Sequence, residues 1–116
     1  MGAQGTDEID FGAWPGSDEA SVAVTGQTGI LAGSLVEAWL FPTATTDHSV
    51  DEHRLDGPQL IAGNVVAGTG FTIYGQPQLP PVVMPDPING GTGSLKQNTT
   101  GRLRMYGKWT VAWVWN

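Results

Sequence analysis

The last ten residues, GKWTVAWVWN, constrain the fold more than any other stretch of the chain. In a β-strand, side chains at every second position share a face. That spacing puts four large apolar side chains on one face: Trp109, Val111, Trp113 and Trp115. A regular aromatic face is typical of a core or interface strand, although a row of tryptophans can also bind sugar rings. Ala112 and Val114 make the other face apolar too, which predicts a central strand or one shielded by a partner.

The alternation runs back to Leu103, which is longer than an ordinary strand. Gly107 interrupts it and is expected to mark a bulge, a bend or a turn between two strands. Further strands are expected from alternation and turn signals at residues 8–11, 20–25, 34–41, 60–67 and 71–74. The last two of these form a predicted hairpin around Gly68, Thr69 and Gly70.

Two stretches show helical signals. Residues 31–39 fit helical spacing, but Gly33 within the stretch and Pro42 shortly after it favour a strand. Ser49, followed three residues later by Glu52, has the spacing of a capping box, and the sequence Asp-Gly-Pro at residues 56–58 is a stop signal. One short helix is therefore expected, at about residues 49–55.

The composition fits short strands joined by tight turns. The chain has 116 residues, enough for one domain, with 17 Gly, 8 Pro and only 14% charged residues. The absence of cysteine excludes disulfides and thiolate metal sites. No stretch is apolar enough for a transmembrane helix, and no signal-peptide pattern is present, so no membrane contact is expected. A net charge of −6 argues against binding nucleic acid.

The stretch DHSVDEHRLD holds both histidines of the chain and four carboxylates, so a metal site has to be weighed. A zinc helix needs its histidines four residues apart on one face. His48 and His53 are five apart, which separates them by about 140° around a helix. The oxygen spacing of a calcium loop is absent as well. We interpret the stretch as a solvated, capped helix turn without a metal site.

No catalytic constellation is recognisable. The sequence contains no G-x-S-x-G elbow, no Walker loop and no G-x-G-x-x-G after a strand. Carboxylate pairs such as Asp51-Glu52 are sequence neighbours that point apart, whereas a glycosidase needs two carboxylates facing across a cleft. We therefore expect a protein that is not an enzyme and carries no cofactor.

Residues 75–101 are rich in Pro and Gly and contain an apolar run. Proline cannot donate to a sheet ladder and favours extended chain, which suggests an arm laid across a surface, either its own domain or a neighbour. The expected assembly contact comprises Pro77, Leu79, Pro80, Pro81, Val82, Val83, Met84, Pro85 and Pro87. Because such a run is costly to leave in water, we expect a homo-oligomer, preferably a trimeric ring, or a state tightly bound to a larger assembly.

Charge is divided unevenly along the chain. Residues up to 57 carry a formal charge of −9, and the remainder carry +3. The two halves can pack together within one molecule, or acidic and basic surfaces can meet head to tail between subunits. Turn spacing and alternation together predict an all-β fold, an antiparallel β-sandwich or jelly-roll-like domain spanning residues 1–116.

Five stretches carry a resemblance to known sequences: IDFGAWPG, VAVTGQTGILAGSLVEAWLFP, DHSVDEH, AGNVVAGTGFTIYG and YGKWTVAWVWN. They are similar to a group of small proteins that tailed bacteriophages and prophages encode among their structural genes. The similarity spans roughly residues 8–74 and 102–116, and residues 75–101 lie outside it. The resemblance implies a context, the virion, and supplies no catalytic residues.

The leading functional hypothesis is a non-enzymatic virion protein that decorates or cements the capsid. Its expected partners are further copies of itself and the major capsid protein or other virion proteins. A tail fibre, spike or tail-tip domain that binds a host surface glycan is the first alternative, and a tail or adaptor component is the second. Each places the protein in the virion, after synthesis in the host bacterial cytoplasm.

Overall fold

The computed structural model describes residues 2–78 and 104–116, which form two antiparallel three-stranded sheets and one short helix. The elements are β1 Ala3–Asp10, β2 Ala20–Val24, β3 Val36–Leu40, α1 Val50–Asp56, β4 Gln59–Val66, β5 Gly70–Gln76 and β6 Lys108–Trp115. The predicted all-β, sandwich-like fold with a single short helix is confirmed. The jelly-roll connection pattern stays a prediction.

The first sheet has the order β1-β6-β3, so the terminal strand β6 is central. Trp109 lies opposite Ile9 of β1, and Trp113 lies opposite Ala38 of β3. Directly opposed residues of an antiparallel pair share a face, so the tryptophans of β6 all lie on the inner face. Gly5 faces Trp113, and a Cβ at Gly5 would lie 2.6 Å from Cζ2 of that indole, so a glycine is needed there to accommodate the ring.

The second sheet has the order β2-β5-β4. β4 and β5 form the predicted hairpin, whose turn occupies residues 67–69, and the ladder is irregular between Gly63 and Val66. Asn64 has a positive φ of 52° at this irregularity. β5 continues to Gln76, so residues 75 and 76, which were expected to begin the arm, belong to the sheet instead.

The core lies between the two sheets. Its buried apolar members are Ile9, Phe11, Val24, Ile30, Phe71, Ile73, Trp109, Val111, Trp113 and Trp115. Phe71 meets Trp113 edge to face across the sandwich, with ring centroids 5.6 Å apart. The indole N–H of Trp115 donates to Oε1 of Gln27 at 2.8 Å, which satisfies the one polar group of that side chain. Burial of a large apolar side chain contributes about 1.5–3 kcal/mol, so this cluster is the main source of stability.

The loop between β1 and β2 is tied to the chain that precedes β6. Ser17 and Met105 exchange two backbone hydrogen bonds of 2.9 Å, and Gly107 donates its N–H to the Gly12 carbonyl at 2.7 Å. Gly16 has a φ of +83°, and a Cβ there would contact the Met105 carbonyl. Gly107 has a φ of +76° and lies at a bend, one of the three alternatives expected for this residue.

The helix α1, Val50–Asp56, lies within one residue of the predicted bounds, 49–55, at each end. Ser49 is its N-cap and accepts from the backbone N–H of Glu52, while the Glu52 carboxylate accepts from the backbone N–H of Ser49. The capping box is therefore complete, and the helix stops before Gly57. The expectation that this turn is solvated is wrong for its histidines, because His48 and His53 are both buried. Each is covered by β6, a contact that no local pattern indicates.

Candidate functional site

Where β3 ends, side chains replace it as hydrogen-bond partners of β6. Beyond Leu40, Phe41 donates its N–H to the carbonyl of Thr110, and Pro42 then ends the regular pairing. The N–H of Thr110 points to the same side of β6 as its carbonyl and still requires an acceptor. It donates to Nε2 of His53 at 2.9 Å. An imidazole thus takes the place that a strand carbonyl would occupy.

Side chains also take the place of backbone partners at Lys108, the first residue of β6. Its backbone N–H donates to Oδ2 of Asp47 at 2.8 Å, and its carbonyl accepts from the Thr45 hydroxyl at 2.7 Å. The Thr110 hydroxyl in turn donates to the carbonyl of Thr43 at 2.9 Å. The segment from residue 43 to residue 53 is therefore attached to β6 through its side chains, and this attachment places both histidines against the sheet.

His53 is completely buried, and its hydrogen bonds define its tautomer. Nδ1 lies 2.7 Å from the carbonyl of Ser49, which can only accept, so Nδ1 carries the proton. Nε2 accepts from Thr110, so it carries none. The two partners together match a neutral imidazole with both nitrogens occupied.

His48 has the opposite arrangement. Nδ1 lies 3.0 Å from the Glu52 carboxylate, and Nε2 lies 2.6 Å from the carbonyl of Tyr106. Both partners are acceptors, so the geometry matches a doubly protonated, positively charged ring. This ring stacks on the indole of Trp109, with centroids 3.7 Å apart and planes inclined by 18°. A cation over an indole face is favoured by the quadrupole of the aromatic ring.

Glu52 joins the helix cap to this stacked pair. The hydrogen bond from His48 lowers the pKa of the Glu52 carboxyl below its ordinary value, and the backbone N–H of Ser49 and the positive charge of His48 lower it further. The side chain is 45% exposed, so its partners, rather than burial, determine its charge state. Glu52 is thus an ionised carboxylate that holds both the cap and the His48 ring.

A pocket of about 430 Å³ opens beside these rings; we call it the Trp14 pocket. Its aromatic wall is formed by Trp14, Tyr106, His48 and Trp109, and its polar lining includes Glu52, Asp56, Gln78 and Arg104. Trp14 is 77% exposed and meets Tyr106 edge to face, with centroids 5.3 Å apart. Tyr106 in turn lies 4.8 Å from the His48 ring. The rings therefore form a continuous series from the exposed Trp14 to the buried Trp109.

The histidine–carboxylate cluster offers little to a metal ion. Within the ranges 2–78 and 104–116, no group of three or more His, Asp or Glu side chains is placed to hold one. Both ring nitrogens of each histidine are already hydrogen bonded. The sequence-based prediction treated His48 and His53 as residues of one helix, and this was wrong because His48 precedes the N-cap. The centroids of the two rings lie only 6.4 Å apart. That neither histidine binds a catalytic metal stays a prediction.

The predicted site residues fall into two groups. Trp109, Val111, Trp113 and Trp115 are all buried in the core between the sheets. Pro77 was expected at an assembly contact but is buried in this chain, and the neighbouring Gln78 donates to the carbonyl of Gly57 at 2.9 Å. The other proposed contact residues, from Leu79 to Pro87, lie outside the described residues.

Trp14 and Tyr106 are the site residues that sequence reasoning missed. The only local signal for Trp14 was a tryptophan directly before a Pro-Gly turn, where a core position is not expected. Tyr106 lies in the alternating stretch before β6, at an even-numbered position, whereas the tryptophans of β6 are at odd-numbered positions. Its neighbours Trp14 and His48 are distant in sequence, so their proximity had no sequence signal.

Two further surface features are relevant to binding. A concavity of about 690 Å³ lies on the outer face of the second sheet, and its lining includes Tyr74, Ile61, Gln59 and Glu19. It is larger than the Trp14 pocket but has no clustered rings. The second feature is a strip of exposed apolar side chains in and beside β3, which we call the β3 strip: Leu35, Trp39 and Phe41.

Comparisons with known proteins add no relative. No known protein family, no curated protein and no solved structure matches the chain. Among the described residues, no helix has the length and apolar character needed to cross a membrane.

Proposed function

We propose that this chain is a non-enzymatic structural protein of a tailed-bacteriophage virion that binds the capsid as a decoration protein. The sequence resemblance to small phage structural proteins supplies the context. The compact β-sandwich supports the proposal because a rigid small domain can bind where shell subunits meet. Among the described residues, the lining of the Trp14 pocket has no nucleophile paired with a base, and its histidine, His48, is engaged in hydrogen bonds with Glu52 and the Tyr106 carbonyl.

The observation that carries this proposal is the β3 strip. β3 is paired with β6 on one side only within the part of the chain that the structure describes. Trp39, on the outer face of the first sheet, is 44% exposed, and Leu35 and Phe41 are exposed beside it. Exposed apolar groups on an edge strand favour association with another surface, because soluble monomers usually protect such edges. We assign this strip to contact with the capsid shell.

Binding to undecorated capsids tests the assignment directly. Purified protein is mixed with capsids lacking decoration, and the bound fraction is measured by sedimentation. Trp39→Ser and Leu35→Ser should each reduce binding severalfold, because they remove exposed apolar area without opening the core. Tyr74→Ser is the matched control, since Tyr74 is 43% exposed but lies on the outer face of the other sheet. Wild-type protein that fails to bind, or equal losses in all three variants, would contradict the proposal.

Self-association is a separate part of the proposal. A closed trimeric ring would let each β3 strip meet a neighbouring subunit or the shell, with acidic and basic surfaces apposed. Analytical ultracentrifugation of the intact chain should give a mass of three chains. A strictly monomeric protein that also lacks capsid affinity would rule out both the ring and the decoration role.

A tail fibre, spike or tail-tip domain that binds a host glycan is the second candidate. One specific observation favours it, namely the exposed indole of Trp14 above a pocket with polar walls. A tail or adaptor component remains compatible with the β3 strip, since that surface can bind any virion protein. The position and copy number of the protein in a particle reconstruction distinguish head from tail.

A further inference from the structure

We propose that the Trp14 pocket is a carbohydrate-binding site, which takes a neutral sugar residue against the indole of Trp14. This inference deepens the second candidate function and does not depend on capsid binding. A decoration protein can carry the site on the surface that faces away from the shell.

The first argument is the exposure of Trp14 on an anchored loop. An indole that is 77% exposed contributes little to the core, and yet its ring is held by edge-to-face contact with Tyr106. The loop that carries it is closed by the Gly16 N–H, which donates to the Ala13 carbonyl at 2.7 Å, and by the two bonds between Ser17 and Met105. A rigid exposed aromatic ring is a preorganised binding surface, because little conformational freedom is lost when a ligand stacks on it.

The second argument is the chemistry of the polar lining. Glu52 and Asp56 supply acceptors, while Arg104 and Gln78 supply donors around the same pocket. Arg104 also donates to the Gly16 carbonyl at 3.3 Å, which places its guanidinium beside the Trp14 loop. A sugar ring has an apolar C–H face and a rim of hydroxyls that both donate and accept. An aromatic surface bordered by mixed donors and acceptors is complementary to that combination.

The third argument is charge balance. The two carboxylates of the lining are partly offset by the Arg104 guanidinium, and Glu52 is already engaged by the ring of His48. A quaternary ammonium ligand needs aromatic rings with a net negative surround, and a phosphate needs a net positive one. The lining has no net positive surround, and the acidic chain as a whole also disfavours anions, so a phosphate ligand is not expected. The pocket volume of about 430 Å³ is large enough for a sugar residue, since small-molecule pockets range from about 300 to 1,000 Å³.

The test uses the intact chain and an array of oligosaccharides built from glucose, galactose, mannose and N-acetylglucosamine. Sugars that bind are then titrated against the protein by isothermal calorimetry and indole fluorescence. Trp14→Ala should weaken binding at least about tenfold, because it removes the stacking surface. Asp56→Asn should weaken binding less, while Tyr74→Ala, an exposed aromatic on the other sheet, should leave it unchanged. Thermal unfolding of Trp14→Ala should match wild type, since its side chain is mostly exposed.

Four outcomes would overturn the inference. The first is the absence of binding to every sugar on the array at millimolar concentration. The second is sugar binding that Trp14→Ala leaves unchanged. The third is binding of choline with no sugar binding, which would assign the pocket to a cation. Capsid sedimentation separates this site from the decoration role, because Trp14→Ala should still bind capsids. The fourth outcome is a loss of capsid binding in this variant, which would identify Trp14 as a protein contact instead.

Discussion

The imidazole of His48 lies parallel to the indole of Trp109, with ring centroids 3.7 Å apart. This pair joins the segment before α1 to the central strand of the first sheet, and Glu52 and the Tyr106 carbonyl hold the two nitrogens of His48. The indole N–H of Trp109 is buried and has no partner among residues 2–78 and 104–116, and nothing in the described structure accounts for it. The following predictions test the energetics of this region.

His48→Ala should lower the free energy of unfolding by about 2–4 kcal/mol, because it removes a stacked ring and leaves the Tyr106 carbonyl without its donor. Chemical denaturation at neutral pH measures the loss. Arg54→Ala is the control: its side chain lies on α1, which follows His48, is 62% exposed, and should change stability by less than about 0.5 kcal/mol. Equal effects of the two substitutions would show that the stacked pair contributes no stability.

His53→Ala tests whether the imidazole replaces a strand carbonyl as the acceptor for the Thr110 N–H. The N–H of Thr110 then loses its acceptor, and its amide hydrogen exchange should accelerate by at least about tenfold, in parallel with a stability loss of about 2–4 kcal/mol. The exchange is measured by NMR at the Thr110 amide, relative to amides in β5. Nitrogen NMR of wild-type protein should show the Nδ1-protonated neutral ring. An Nε2-protonated or doubly protonated ring would contradict the hydrogen-bond assignment.

Glu52→Gln should reduce stability in a pH-dependent way. The pKa of Glu52 is lowered in the folded protein from an ordinary value of 4.5, so its contribution is fully present above that pH. The contribution is lost as the pH falls through the lower pKa of the folded state. The stability difference between wild type and Glu52→Gln should therefore shrink as the pH falls below about 4.5. A stability difference that grows as the pH falls would contradict a lowered pKa of Glu52 in the folded protein.

Two glycines of the Trp14 loop should respond differently to alanine. Gly12 and Gly16 both have positive φ, at +93° and +83°, but only a Cβ at Gly16 meets other atoms, beginning with the Met105 carbonyl. Gly12→Ala should cost about 1–2 kcal/mol through backbone strain alone. Gly16→Ala should cost about 1–3 kcal/mol more, because the backbone of the loop must move. Thermal unfolding measures the loss of stability in each variant. Equal losses would show that the loop backbone moves to accommodate the Cβ at Gly16 without further cost.

Much of the architecture could be predicted from local patterns. The alternation of Trp109, Val111, Trp113 and Trp115 indicated a strand with one buried face. The apolar second face indicated a central strand or one shielded by a partner, and β6 is central. The capping box at Ser49 and Glu52 located the helix to within a residue. These signals were sufficient because strand periodicity and helix capping depend on residues no more than four positions apart.

The tertiary structure alone decided the burial and bonding of the two histidines. His48 meets Tyr106 across 58 sequence positions, and His53 meets Thr110 across 57. From the sequence, a charged stretch with two histidines indicated a solvated turn, since most such stretches face water. Whether a side chain is covered depends on which distant element folds over it. Here the departure of the chain from the first sheet after Phe41 left β6 groups unpaired, and the histidine segment supplied their partners.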